Sequence, residues 1–186
     1  LKGYYNMDLT SPRTIRNIQE QFGFTFKKGL GQNFLTARNI LEEIVDAAEI
    51  ESGVIEVGPG FGVLTSELAQ NSDKVVTIEI DERLIDVLDY TLAEYDNVKI
   101  INEDILKLDL KKVIDDEFNG EKVSIAANLP YYITTPIITK LLEEKLPIKN
   151  IVVMVQKEVA ERMSAKPSTK DYGAITVLCQ YYTEPS

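Results

Sequence analysis

The sequence predicts an α/β fold built on a mostly parallel, doubly wound sheet. Short apolar runs alternate along the chain with segments whose apolar residues recur at helical spacing. The first apolar run leads directly into a glycine-rich turn, Gly58-x-Gly60-x-Gly62. Acidic or amide side chains follow the ends of later apolar runs, which is where a parallel sheet gathers its ligand-binding residues. The alternation requires crossover connections, and right-handed crossover helices then cover both faces of the sheet.

The first two helices precede the sheet. Ser11-Pro12 begins a helix in the manner of an N-cap followed by proline, and Gly23 ends it. The second helix is expected over residues 37–50, where apolar residues are spaced three and four apart. Residues 24–35, between the two helices, are predicted to form a loop.

Five strands are predicted from short runs rich in β-branched residues, and helices separate most of them. The strands are expected at residues 54–57, 74–80, 98–101, 123–127 and 151–155. The remaining helices are expected at residues 63–70, 82–95, 135–144, 158–163 and 172–182. No helix is assigned to residues 102–122, between the third and fourth strands.

The composition fits one packed domain and excludes several kinds of site. The 186 residues are 44% hydrophobic and carry a net charge of −10, and no apolar run approaches the roughly 18 residues that a membrane helix needs. The single cysteine, Cys179, cannot form an intrachain disulfide, which favours a cytoplasmic location. The absence of histidine excludes Ser-His-Asp and Cys-His catalysis and histidine zinc sites. An enzyme of this composition must rely on positioning, backbone groups, carboxylates and aromatic rings.

The charge is unevenly spread along the chain. Residues 1–38 contain six basic and two acidic residues, whereas residues 79–121 contain 14 acidic and five basic residues. A basic arm of this kind can bind a phosphate backbone while the acidic surface faces away from it. A charged surface that only aids solubility is the alternative interpretation.

The glycine turn indicates a ligand that approaches the backbone closely. Gly58 and Gly60 follow the first buried strand, and glycine there leaves room for a ligand at the start of the next helix. A dinucleotide-binding turn would place its third glycine at position 63, which is Val63, and Pro59 removes an N–H that could hold a pyrophosphate. The turn therefore argues against a nicotinamide dinucleotide. A simple strand-to-helix turn remains the alternative.

Acidic residues after the second and third strands favour a nucleoside. Glu79 lies 21 residues after Gly58, and an acid at that place can accept hydrogen bonds from both ribose hydroxyls. Asp104 can accept a hydrogen bond from an adenine amine while Ile105 packs on the ring, or it can cap a helix instead. A nucleoside with a small polar tail and no diphosphate matches S-adenosylmethionine (SAM).

The tetrad Asn128-Leu129-Pro130-Tyr131 follows the fourth strand and suggests a site for an amine. The Asn128 side chain and the Pro130 backbone each offer a carbonyl oxygen, and two such acceptors can hold both hydrogens of an adenine exocyclic amine. The nitrogen is thereby drawn toward a tetrahedral geometry that aims its lone pair at an electrophilic methyl group, without a strong base. Tyr131 offers a face on which an extruded base can stack. An ordinary turn is the alternative.

Together these motifs resemble the bacterial small-subunit ribosomal RNA adenine N6,N6-dimethyltransferases, a family of class I SAM-dependent methyltransferases. The matching segments follow the family order from residue 30 to about residue 182. They are residues 30–35 (LGQNFL), 56–65 (EVGPGFGVLT), 79–81 (EID), 103–106 (EDIL), 128–136 (NLPYYITTP) and 156–162 (QKEVAER).

The resemblance implies a Rossmann-like class I methyltransferase fold, SAM as cofactor and no metal. It implies cofactor contacts from Asn33, Leu35, Gly58, Gly60, Glu79, Ile80, Asp104, Ile105 and Asn128. It places catalysis at Asn128, Leu129, Pro130 and Tyr131. The implied reaction is dimethylation of two adjacent adenosines in the 3′-terminal hairpin loop of small-subunit ribosomal RNA, with the immature 30S subunit as partner and no membrane.

The same resemblance suggests two regions. Residues 1–36 are expected to form an N-terminal arm and a cofactor-covering loop, and residues 1–6, which precede Met7, are interpreted as a cloning remnant. Residues 37–186 are expected to form the catalytic domain. Family members continue with a final strand pair and a helical RNA-binding domain. We therefore expect a sheet without that pair, and a chain that binds cofactor but methylates RNA poorly.

Basic residues in two places are candidate RNA contacts: Lys27 and Lys28 in the arm, and Lys157 and Arg162 near the C-terminus. Three other functions remain open at this point. The large-subunit adenine N6-methyltransferases that confer macrolide resistance share the asparagine-x-proline-tyrosine signature. A non-catalytic ribosome assembly factor could use the fold as a scaffold, and methyltransferases for protein amides also hold an NH₂ group in such a turn.

Overall fold

Five parallel strands form one sheet in the order β3-β2-β1-β4-β5. The computed structural model describes residues 7–24, 35–130 and 132–186. The strands are β1 (Val54–Val57), β2 (Val75–Glu79), β3 (Val98–Asn102), β4 (Val123–Asn128) and β5 (Ile148–Met154). Strands β2 and β3 follow one another on one side of β1, and β4 and β5 follow one another on its other side. The predicted parallel α/β sheet is confirmed, and its topological switch point lies between β1 and β4.

Eight α-helices accompany the sheet in the described ranges. They are α1 (Pro12–Gln21), α2 (Arg38–Ala48), α3 (Val63–Gln70), α4 (Ile85–Thr91), α5 (Leu110–Phe118), α6 (Thr134–Glu143), α7 (Lys157–Met163) and α8 (Ala174–Tyr182). A short 3₁₀ helix, Glu82–Leu84, leads into α4. None of the helices in the described parts of the chain has the length and apolar character needed to cross a bilayer.

Both faces of the sheet are covered because successive strand residues point to opposite sides. Val54 and Val75 belong to a core cluster with buried residues of α1, α2, α3 and α4. Their neighbours Ile55 and Val76 belong to a second cluster with α5, α6 and α8. The strands β1 and β2 are fully buried, as expected for the centre of a doubly wound sheet.

The structure contains one helix that the sequence pattern did not predict. In α5 the apolar residues Leu110, Val113, Ile114 and Phe118 are buried against the sheet. The Asp109 carboxylate caps this helix by accepting a hydrogen bond from the backbone N–H of the residue three positions later, at 3.0 Å. Both signals are present in the sequence, but dense charges between the apolar residues obscured them.

Other differences concern where elements begin and end. The helix expected over residues 82–95 is a 3₁₀ turn followed by the shorter α4, which ends at Thr91. The edge strand β5 begins at Ile148, three residues before its predicted start. Helix α8 begins at Ala174, after the residue expected to start it.

Asn97 connects the start of β3 to the end of α3. Its side-chain nitrogen donates hydrogen bonds to the backbone oxygens of Ala69, at 2.8 Å, and Ser72, at 2.9 Å. Two carbonyls that no longer bond within a helix are satisfied in this way. The half-buried Asn97 therefore helps to hold the crossover from α3 against the sheet.

Glu56 is an acid in the core of the sheet. Its residue is 1% exposed, and Oε2 has no hydrogen-bond partner among the described residues. Burial raises the pKa of the Glu56 carboxyl to about 7; the nearby hydroxyls of Thr65 and Thr77 lower the pKa by less, and the charge of Glu79 raises it further. Ionisation of Glu56 inside the fold is therefore unfavourable.

We predict that Asn97→Ala lowers the free energy of unfolding by about 1–3 kcal/mol, because two carbonyls lose their donor. Urea unfolding followed by circular dichroism measures this change. Asn71→Ala is the matched control, since Asn71 is exposed and its side chain has one described hydrogen bond, to the Glu67 carbonyl of the preceding helix. Equal losses in the two variants would contradict a special role for Asn97.

We predict that Glu56 makes the protein less stable as pH rises. The folded pKa of about 7 exceeds the ordinary value of 4.5, so the cost is absent below pH 4.5 and grows as pH rises through 7. At about 1.4 kcal/mol per pKa unit, the total is about 3 kcal/mol. Glu56→Gln should lose correspondingly less stability between pH 5 and pH 8 in urea titrations. Parallel pH profiles of wild type and variant would refute this assignment.

Candidate functional site

A cavity of about 280 Å³ lies at the carboxyl ends of β1 to β4. Ten of the sequence-predicted site residues line it: Leu35, Gly58, Gly60, Glu79, Ile80, Asp104, Ile105, Asn128, Leu129 and Pro130. Two further predicted residues, Asn33 and Tyr131, lie outside the described residues. The topology thus brings together side chains that are distant in the sequence, at the switch point where α/β sheets bind ligands.

The conformation of the glycine turn after β1 is set by left-handed backbone angles and by backbone hydrogen bonds. Gly58, Gly60 and Gly62 have φ values of +72°, +60° and +82°, in the left-handed region that favours glycine. The N–H of Gly58 donates to the Ile78 carbonyl at 3.0 Å, and the N–H of Gly62 donates to the Pro59 carbonyl at 3.0 Å. The turn is therefore attached to β2 and closed on itself, with no side chain on the two glycines that line the cavity.

Glu79 ends β2 and turns a buried carboxylate toward the glycine turn. Burial raises the pKa of this carboxyl, whereas the nearby backbone N–H groups of Asp81, Gly60 and Ile80 lower it by less. The bond from Asp81 to Oε1 measures 2.8 Å. The Glu79 backbone oxygen accepts from the side chain of Asn102 at 2.7 Å and from the N–H of Glu103 at 3.1 Å. Both ends of the residue are held, and the carboxylate lies in the cavity wall.

Asp104 and the two predicted isoleucines form the next part of the wall. Asp104 Oδ1 accepts a hydrogen bond from the N–H of Leu106 at 3.0 Å, so this carboxylate caps the turn after β3. Capping of a helix is the alternative role that the sequence suggests for Asp104, and this capped turn is similar to it. Its Oδ2 lies 3.8 Å from the Lys107 ammonium. Ile105 is buried, whereas Ile80 is 66% exposed and offers an apolar surface beside the cavity.

The tetrad after β4 is attached to the edge strand. Asn128 is paired with Met154 of β5, and the N–H of Leu129 donates to the Met154 carbonyl at 3.1 Å. The Pro130 carbonyl accepts from the N–H of Ile133 at 3.2 Å and from the Thr134 hydroxyl at 3.1 Å. A carbonyl oxygen has two lone pairs, so Pro130 already has two donors in this structure. The expectation that Pro130 receives a target amine thus lacks support in the geometry.

Several lining residues were not singled out from the sequence. They are Glu56, Val57, Pro59, Val63, Leu64, Ile78, Asp81, Glu103, Leu106, Tyr132, Ile133 and Ile137. Most of them adjoin a predicted site residue in the sequence, at the same strand end. This proximity in sequence is the one feature from which they could have been predicted. Tyr132, which is 58% exposed, follows the tetrad directly.

Two of the four predicted RNA contacts, Lys157 and Arg162, do not line the cavity. Lys157 and Arg162 are exposed on α7, and the Lys157 ammonium is 3.7 Å from the Glu161 carboxylate. Lys27 and Lys28 lie outside the described residues. Across residues 7–24, 35–130 and 132–186, no cluster of three or more acidic or cysteine side chains is arranged to hold a metal ion.

Comparisons with known proteins agree with this arrangement. A family model described as ribosomal RNA adenine dimethylase matches residues 23–186. The ribosomal RNA small subunit methyltransferase A of Bacillus mycoides is 56% identical over 180 residues, which cover 95% of this chain and 62% of the relative. The same protein of Bacillus cereus gives the same values. The chain thus spans less than two thirds of the length of these curated relatives.

Solved structures show the same similarity. A dimethyladenosine transferase from Plasmodium falciparum is 35% identical with a TM-score of 0.64, over 76% of this chain and 50% of that one. The 23S rRNA methyltransferase ErmE is 32% identical with a TM-score of 0.64, over 79% of this chain and 55% of that one. Because the family model covers most of the chain, and the strand-end cavity carries the expected motifs, this protein belongs to the ribosomal RNA adenine dimethylase family.

Proposed function

We propose that this chain carries the catalytic site of a SAM-dependent enzyme that dimethylates N6 of two adjacent adenosines in the 3′-terminal hairpin loop of small-subunit ribosomal RNA. The observation that carries the proposal is the single cavity in which Asn128 and Leu129 face the same space as the glycine turn and Glu79. Residues 37–186 would form the catalytic domain, and residues 1–36 an arm over the cofactor. Leu35, buried and in the cavity wall, supports that role for the end of the arm.

The described residues fit SAM in size, polarity and placement. Glu79 would accept the ribose hydroxyls, because its two carboxylate oxygens have about four lone-pair sites and backbone N–H groups leave some of them available. Ile80 and Ile105 would pack on the adenine, and the second oxygen of Asp104 would accept from its amine. Gly58 and Gly60 leave space for the amino-acid end of the cofactor. When bound, SAM supplies a methyl group on a positively charged sulfur.

The residues of the tetrad would hold the substrate amine. The Asn128 side-chain oxygen would accept one hydrogen of the adenine N6 amine. Since the Pro130 oxygen is engaged by Ile133 and Thr134, we assign the second acceptor to the backbone carbonyl of Leu129. Pro130 then has a structural task, since its oxygen fixes the start of α6. Two acceptors orient the nitrogen lone pair toward the methyl group, and this orientation takes the place of a general base.

The target base must leave its stack to reach this cavity. Tyr131 would stack on the base, as the sequence predicts. Lys27, Lys28, Lys157 and Arg162 would contact the RNA backbone, and the exposure of the last two is consistent with that task. The immature 30S subunit in the cytoplasm would supply the RNA.

Similarity favours the small-subunit reaction over the alternatives. The chain is 56% identical to the proteins named ribosomal RNA small subunit methyltransferase A and 32% identical to the 23S rRNA methyltransferase ErmE. A purely non-catalytic assembly factor would not need the Glu79 carboxyl buried in the cavity wall, because burial of an acid costs stability unless a partner compensates for it.

The reaction can be tested with SAM that carries a tritiated methyl group. The chain is incubated separately with immature small subunits and with large-subunit ribosomal RNA, and the modified nucleoside is identified after digestion. We expect N6,N6-dimethyladenosine from the small subunit, at a low rate. Label only in the large-subunit RNA would favour the macrolide-resistance type. Absence of SAM binding in calorimetry would favour a non-catalytic scaffold.

We predict that Asn128→Ala lowers the methyl-transfer rate by about 10²–10³-fold, because one of two oriented acceptors is lost in the transition state. SAM affinity should change by less than about threefold, since the Asn128 oxygen acts mainly on the amine. Single-turnover kinetics and calorimetry measure the two effects. Asn128→Asp keeps an oxygen acceptor and should retain more activity than the alanine variant. If the alanine variant transfers methyl groups as fast as wild type, Asn128 does not hold the target amine.

We predict that Glu79→Gln weakens binding of S-adenosylhomocysteine by about tenfold, because a neutral amide accepts hydrogen bonds from hydroxyls less strongly than a carboxylate. Isothermal titration calorimetry provides the dissociation constant. Glu82→Gln makes the same change of charge on the exposed surface nearby and should leave the constant within twofold. If both variants weaken binding equally, the effect is a general one of charge, and Glu79 has no special contact.

A further inference from the structure

Phe24 lies where the N-terminal segment meets the cofactor loops. Its residue is 7% exposed, and its ring meets the ring of Phe61 edge to face, with 5.6 Å between the centroids and 74° between the planes. On the same ring lies the guanidinium of Arg83, whose central carbon is 5.1 Å from the ring centroid. Phe24 thus contacts the turn after β1 and the turn after β2 at once.

Each of these contacts leads to one of the backbone N–H groups near the Glu79 carboxylate. Phe61 directly follows Gly60, whose backbone N–H lies near enough to the Glu79 carboxylate to lower its pKa. Arg83 Nε donates to Asp81 Oδ1 at 2.8 Å, and its terminal nitrogen forms an ion pair with the other carboxylate oxygen. The N–H of Asp81 in turn donates to Glu79 Oε1 at 2.8 Å. The two paths leave Phe24 separately and converge on one carboxylate.

We propose that Phe24 and Arg83 are positioning residues that hold the Glu79 carboxylate in the orientation required by the ribose hydroxyls of the cofactor. The inference rests on the proposed function of Glu79. It extends that function to the N-terminal segment, because Phe24 belongs to the segment that carries α1. Neither Phe24 nor Arg83 lines the cavity, so both act through Gly60 and Asp81.

The proposed positioning role depends on the orientation of the Glu79 carboxylate, which would accept hydrogen bonds from two hydroxyls at once. A carboxylate receives two neighbouring hydroxyls well only when its plane is fixed, and a small rotation loses one of the two hydrogen bonds. The hydrogen bond from the N–H of Asp81 restrains that plane, and the N–H of Gly60 favours the same charged carboxylate. The guanidinium holds Asp81 through two of its nitrogens, and the ring face of Phe24 limits the positions that the guanidinium can take.

A purely structural role for Phe24 must be distinguished from positioning, because Phe24 also packs in the core cluster with Ile15 and Ile18. Phe22 provides the matched control. Its half-buried ring lies two residues away, contacts the ring of Tyr90 at 5.5 Å, and has no described contact with the residues around Glu79. Loss of either ring should lower thermal stability, but only loss of Phe24 should change recognition of the ribose.

The test measures dissociation constants by calorimetry for S-adenosylhomocysteine and for its 2′,3′-dideoxy analogue, with the whole chain. For S-adenosylhomocysteine we expect Phe24→Leu and Arg83→Gln to raise the constant about five- to tenfold. Phe24→Tyr, which keeps the ring, and Phe22→Leu should stay within twofold of wild type. For the analogue, which lacks the hydroxyls, all five proteins should bind within twofold of one another.

Each outcome separates the explanations. If wild type does not bind S-adenosylhomocysteine, the proposed function fails and this inference fails with it. If wild type binds and distinguishes the two ligands, but Phe24→Leu and Arg83→Gln lose equal affinity for both, the residues are structural and the positioning role is overturned. Unchanged constants overturn it as well. Arg83 is half exposed, so Arg83→Gln decides the question even if Phe24→Leu fails to fold.

Discussion

The register of the parallel strands is the constraint on which the site depends. Val57 lies opposite Ala127, so the glycine turn that begins at Gly58 emerges beside Asn128. Glu79 lies opposite Asn102 in the same way, which brings the ends of β2 and β3 together. A slip by one residue would turn each buried side chain to the opposite face. The buried residues on both faces therefore fix not only the core but also which functional groups meet at the strand ends.

The sequence allowed much of this arrangement to be predicted. Glycines after a buried strand, an acid after the next and an amide after the fourth are local signals, and the carboxyl ends of parallel strands necessarily share one edge. The order of the strands is not a local property, and the charged side chains within α5 obscured its apolar spacing. The hydrogen bond from Thr134 to the Pro130 carbonyl depends on the detailed course of a turn, so residue type alone could not reveal it. The contact of Phe24 with Phe61 joins residues far apart in the sequence, and no spacing of residues in the sequence predicts it.

The chemistry of the site depends on placement more than on reactive side chains. With no histidine in the chain, the polar groups around the cavity are carboxylates, an amide, the Tyr132 phenol, backbone N–H groups and carbonyls. Two of the carboxyls, of Glu56 and Glu79, are buried, and their burial raises the pKa of each. Buried acids weaken a fold unless a partner compensates for the lost water. The end of the sheet is therefore a place where the protein gives up stability in order to present acceptors to a polar ligand.

The first two residues of the tetrad are held by Met154 of β5. In the described parts of the chain, β5 pairs with β4 on one side only, and all seven of its residues are half-buried. The carbonyl of Met154 in this strand accepts a hydrogen bond from the N–H of Leu129. The proposed amine site is thus attached to β5 as well as to β4. A shift of β5 relative to β4 would therefore change the place at which the target nitrogen is held.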